Sequence, residues 1–118
     1  MGISGGSWYS TILSGLIPEI NHLFSFNGTL PLFYRIETDS KGDFENIFAD
    51  LWKKHDYYTF YFLSLYDKNS ELNRTSHHIY SEYDECCFSK PEIDYFKKSM
   101  DTMEIQNLIL NLKLIYIH

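Results

Sequence analysis

Tyr57-Tyr58-Thr59-Phe60-Tyr61-Phe62-Leu63-Ser64-Leu65-Tyr66 is the stretch whose reading decides the fold. It carries aromatic residues on both faces of an alternating ladder and lacks the Ala, Glu and Lys of a comfortable helix, so its composition predicts a strand. Asp67 to Asn73 then turns the chain, and Thr75 to Glu85 alternates as a returning strand. The two make a predicted hairpin.

Working outward, Phe44, Ile47, Phe48, Leu51 and Trp52 recur at i, i+3, i+4, i+7 and i+8, which predicts a helix over Asp43 to His55. Before it, Leu30 to Thr38 alternates as a half-buried strand does. After the hairpin, Ser89 precedes Glu92 by three with Pro91 in the first turn, a capping box that opens a helix whose stripe is Ile93, Phe96, Met100 and Met103. Alternating Leu108, Leu110, Leu112 and Leu114 predict a final strand, although a helical spacing also fits part of that segment. The order β-α-β-β-α-β over residues 29–118 is that of an α+β, ferredoxin-like sandwich, with a four-stranded antiparallel sheet and two helices on one face. Residues 8–28 read as an N-terminal helical extension interrupted at Gly15 and Pro18. Met1 to Ser7, rich in Gly and Ser, reads as a flexible lead and is set aside from the fold.

The 118 residues amount to one domain, and 44% hydrophobic content fills a core without disulfides or metal. Ten Tyr and nine Phe accompany a single alanine, Ala49, and no valine, a bias that records A+T-rich codons. The net charge of -6 argues against direct nucleic-acid binding, which rests on clustered Lys and Arg, and favours a basic protein partner. Cys86 and Cys87 are adjacent and close no ordinary loop, so a reducing compartment, the cytoplasm, is expected. No stretch is long and apolar enough for a membrane span, and the N-terminus lacks the positive flank of a signal peptide.

No catalytic signature, metal-ligand spacing or phosphate loop stands out, and no cofactor is expected. His77 and His78 point to opposite faces of a strand and cannot share one metal. His78, Tyr80 and Glu82 share a face and could serve a small enzyme. Phe33 and Tyr80 occupy positions where RNA-binding sheets stack bases, but the segment around Tyr80 has no Gly, Lys or Arg and carries Glu82 and Asp84. The acidic neighbourhood is the stronger feature: Glu82, Asp84 and Glu85 precede Cys86, and Glu92 and Asp94 follow. With Tyr80, Tyr83 and Tyr95 as aromatic anchors, these residues suit an interface that imitates nucleic-acid charge toward a basic enzyme. The expected function is therefore a small acidic inhibitor or immunity-type protein. A small enzyme, and a homodimer pairing through the aromatic edge strand 57–66, are the alternatives.

Overall fold

A computed structural model of the protein describes residues 1–35, 49–84, 86–102 and 112–117. Its elements run β1 (Gly2–Ile3), α1 (Gly5–Leu16), β2 (His22–Phe26), a 3-10 turn (Leu32–Tyr34), α2 (Ala49–Trp52), α3 (Tyr57–Leu63), β3 (Thr75–Ser81), α4 (Lys90–Thr102) and β4 (Leu112–Ile117). Among the described residues the four strands form one sheet in the order β1-β2-β3-β4, and every pairing is parallel. The register places Ile3 beside Phe26, Phe26 beside Ile79, and Ile79 beside Ile115.

This overturns the ferredoxin-like expectation, whose sheet is antiparallel. A parallel pair cannot be closed by a tight hairpin and needs a crossover, usually helical. Here α1 crosses from β1 to β2, α3 lies within the longer connection to β3, and α4 lies between β3 and β4.

The decisive difference is at Tyr57–Leu63, a helix where alternation predicted a strand. Tyr57, Phe60, Tyr61, Ser64 and Leu65 stand at i, i+3, i+4, i+7 and i+8, and all five are buried. That periodicity is helical, and it was masked because Tyr58 and Phe62 between them are aromatic too. Rings four apart sit one above the other, Tyr57 against Tyr61 at 6.4 Å and Tyr58 against Phe62 at 6.0 Å. The Asp56 side chain starts the helix by accepting the Tyr57 N–H at 2.6 Å. With residues 57–63 helical, the hairpin and the proposed edge-strand homodimer both lose their basis.

Other segments move with it. The helical extension ends at Leu16, and His22–Phe26, expected to resume it after Pro18, is instead a strand with alternating exposure. Of the strand expected at Leu30 to Thr38, residues 32–34 form a 3-10 turn after Pro31, and residues 36–38 lie outside the described residues. Of the helix at Asp43 to His55, Ala49–Trp52 is helical and residues 43–48 lie outside the described residues. Thr75–Ser81 and Lys90–Thr102 form the strand and helix their patterns predict. At the last segment the strand reading holds for Leu112–Ile117, and residues 103–111 lie outside the described residues. Met1 to Ser7 is no loose lead: it supplies β1 and the first turn of α1.

The core lies between the sheet and the helices. Tyr34, Tyr57, Tyr61, Tyr80, Phe88, Ile93, Phe96 and Leu112 form one buried cluster, with Trp8 and Trp52 packed against it. The strand residues His22, Phe24, Lys113, Ile115 and Ile117, which alternate with the buried set, are exposed.

Candidate active site

Because all four strands run the same way, the residues that follow their C-terminal ends share one edge of the sheet. That edge is where open parallel sheets place ligands. Ser4 follows β1, Asn27 follows β2, and Glu82 to Asp84 follow β3.

Ser4 has the most unusual backbone of these. It joins β1 to α1 at φ 52° and ψ -126°, a conformation that type II′ turns normally give to glycine. A non-glycine residue held there costs on the order of 1–3 kcal/mol. The surroundings impose it: the Ser4 N–H donates to the Phe26 carbonyl at 2.9 Å, extending the β1–β2 ladder. The Ser4 carbonyl accepts from the N–H groups of Ser7 at 2.8 Å and Trp8 at 3.1 Å, starting the helix.

The serine occupies the N-cap of α1, yet its side chain makes no capping hydrogen bond. A capping serine is normally worth about 1 kcal/mol, so an uncapped one under backbone strain is a local loss on both counts. Ser4 is exposed at the sheet edge. Beside it, the N–H groups of Gly5 and Gly6 belong to the first turn, where helix geometry provides no intrahelical acceptor. The first turn of α1 contains no acidic residue, so nothing there offsets the partial positive charge of the helix N-terminus.

Gly2-Ile3-Ser4-Gly5-Gly6 is thus a G-x-S-x-G sequence on a strand-turn-helix. The glycine at position 2 has a steric reason, since a Cβ there would fall onto the carbonyl of Gly6 across the turn. Such close approach lets strand and helix meet at a sharp angle. The spacing and the strand-turn-helix have the form of a nucleophile elbow, a turn that holds a serine Oγ away from its own backbone. Its glycines and serines had read as a flexible lead, and a strand of only two residues offers no periodicity to detect. The spacing of Gly2, Ser4 and Gly6 was the available signal.

The residues singled out from the sequence are less concentrated. Tyr80 is 1% exposed and donates its hydroxyl to the Thr29 carbonyl at 2.7 Å, so it is core and cannot anchor a partner. Glu92 is likewise buried, with its carboxylate accepting the Ser89 N–H at 3.3 Å, one half of the predicted capping box. Glu82 pairs with Lys90 at 3.3 Å. Asp84 accepts the N–H groups of Cys86 and Cys87, and Asp94 accepts the Tyr116 hydroxyl at 3.0 Å. Tyr83 and Tyr95 are exposed, and Glu85 lies outside the described residues.

His78 does not meet Glu82 in a catalytic pair. It is buried under the Tyr61 ring with Nε2 3.0 Å from Ser76 Oγ, and burial, aided by His77, lowers its pKa to about 3. It is a neutral core residue, whose Nδ1 has no hydrogen-bond partner among the described residues. Cys86 and Cys87, expected to close no ordinary loop, are joined to each other by a disulfide, with Cys86 exposed. Asp84 lies near both sulfurs, but sulfurs bonded to each other are not thiolate ligands.

Comparison with family models, curated proteins and solved structures found no match.

Proposed function

We propose that this chain carries the nucleophile of a serine-dependent acyl hydrolase, with Ser4 as the attacking residue. The observation that carries the reading is the Ser4 backbone, strained at positive φ between a parallel strand and a helix within G-x-S-x-G. In the proposed reaction Ser4 Oγ attacks the carbonyl carbon of an ester. The new C–O bond forms as the alcohol leaves, and the alcohol takes up the serine proton. Water then cleaves the Ser4 ester, giving its hydroxyl to the acid and its remaining proton to Ser4 Oγ. The N–H of Gly5, the residue after the nucleophile, is the donor such an elbow contributes to an oxyanion hole. An oxyanion-hole donor is typically worth about 100- to 1000-fold in rate.

The test is hydrolysis of activated aryl esters of graded acyl length. Turnover by the protein and its loss in Ser4→Ala are expected, whereas equal rates for the two would refute the assignment.

The acidic composition favours a second reading, in which the protein binds and inhibits a basic enzyme. Exposed Tyr83 and Tyr95 support it. It ranks second because Tyr80 and Glu92 are buried and Glu82, Asp84 and Asp94 are engaged within the chain. Recovery of a stoichiometric basic partner, with no esterase activity, would reverse the order.

A further inference from the structure

Ser7 lies one helical turn beyond Ser4, with no exposure to solvent. Its Oγ is 3.0 Å from the carbonyl oxygen of Gly2 and 2.8 Å from Ser25 Oγ. A hydroxyl has one proton, so if Ser7 donates to Gly2, Ser25 donates to Ser7. The contact with Gly2 spans the elbow, closing the strand side onto the helix side around Ser4. The contact with Ser25 ties the same hydroxyl to β2, in the register position directly beside Gly2. Thr11, also fully buried, donates to the Ser7 carbonyl at 3.0 Å.

The space around Ser7 is fitted to it. A Cβ at Gly28 would collide with the Ser7 Cβ, and one at Gly2 would meet the backbone of Gly6. The site therefore admits a small side chain, and both hydroxyl contacts on β1 and β2 require a polar one. Alanine would fit the space and leave the Gly2 carbonyl and the Ser25 hydroxyl without this partner.

We infer that Ser7 is the positioning residue of the elbow: its buried hydroxyl bridges Gly2 and Ser25, and so fixes the strained turn that presents Ser4. The inference rests on the acyl-hydrolase reading and adds a role that the G-x-S-x-G pattern does not contain. Ser7 touches no substrate and acts only through Ser4.

The experiment measures kcat and KM for aryl-ester hydrolysis by the full chain and by Ser7→Ala and Ser25→Ala, with Ser4→Ala as background and urea unfolding of each variant alongside. Loss of alignment by a fraction of an ångström to about 1 Å reaches roughly 100-fold in rate. We expect a kcat lowered about 10- to 100-fold in Ser7→Ala with KM within about twofold, in protein that remains folded. Ser25→Ala retains the Gly2 bridge and should fall between that variant and the parent. If Ser7→Ala does not fold, Ser25→Ala decides: lowered kcat at unchanged KM supports the bridge, and the parental kcat overturns it. Parental kcat in folded Ser7→Ala overturns the positioning role while leaving Ser4 in place. Parental activity in Ser4→Ala overturns the reading beneath it, and the positioning role with it.

Discussion

Arg74 Nη2 lies 2.6 Å from the carbonyl oxygen of Ser14, joining the residue before β3 to the last turn of α1. The whole side chain is buried, and its other donors reach the carbonyls of Ile17, Ile20, Leu63 and Tyr66. One guanidinium thus satisfies the C-terminal ends of α1 and α3, groups that helix geometry leaves without partners. Burial lowers its pKa, but an arginine whose fork is filled with carbonyl oxygens remains a cation.

Arg74→Met should therefore be among the most destabilising single changes. Removing a charged donor shared by the buried Ser14 carbonyl and four part-buried ones is expected to cost roughly 3–5 kcal/mol, even though Ile17 and Leu63 keep a backbone donor. Arg74→Lys, with a single nitrogen, should recover only part of that. Urea unfolding midpoints measure both, and a midpoint unchanged in Arg74→Met would show that the staple contributes nothing.

Buried Tyr80 and exposed Tyr83 should separate cleanly. Tyr80→Phe leaves the Thr29 carbonyl short of a donor and should cost about 1–3 kcal/mol, whereas Tyr83→Ala should stay within about 0.5 kcal/mol. Similar small effects at both would return Tyr80 to the surface.

The acid limb of stability should depend on His78. Its folded pKa of about 3 lies below the ordinary value of 6.5, so in the window between them the unfolded chain binds the extra proton. Stability is thus full above pH 6.5 and declines as pH falls toward 3. His77 is shifted in the same direction, chiefly by burial, and adds to the slope. Unfolding free energies at pH 7.5 and 5.0 should differ less in His78→Gln than in the parent, and equal differences would contradict the assignment.

How legible was this chain? The helix at Lys90–Thr102 was, because Ile93, Phe96 and Met100 occupy one buried face, and the strand at Thr75–Ser81 was read from its alternation, in which Ser76, His78 and Tyr80 are the buried set and Ile79 on the other face is buried as well. Tyr57–Leu63 was not, because aromatic residues between the core positions hid a helical stripe. His22–Phe26 is only five residues long, and Leu23 with Phe24 fits a helix as readily as a strand. Direction is a further blind spot: alternation marks a strand, and the connection decides whether its neighbour runs parallel. One misread connection converted a parallel sheet into a hairpin. The candidate site was hidden for a different reason, since the glycines that allow a close strand-helix turn are the same residues that make a linker.

The most direct measurement is mass spectrometry of the protein after reaction with a fluorophosphonate, in which a nucleophilic serine displaces fluoride and keeps the phosphonyl group. We expect one adduct per chain, located at Ser4 by fragmentation, absent from Ser4→Ala and formed far more slowly by the urea-unfolded protein. No adduct at Ser4 in the folded protein, or equal labelling of Ser4 in the unfolded chain, would contradict the claim that this elbow presents a nucleophile.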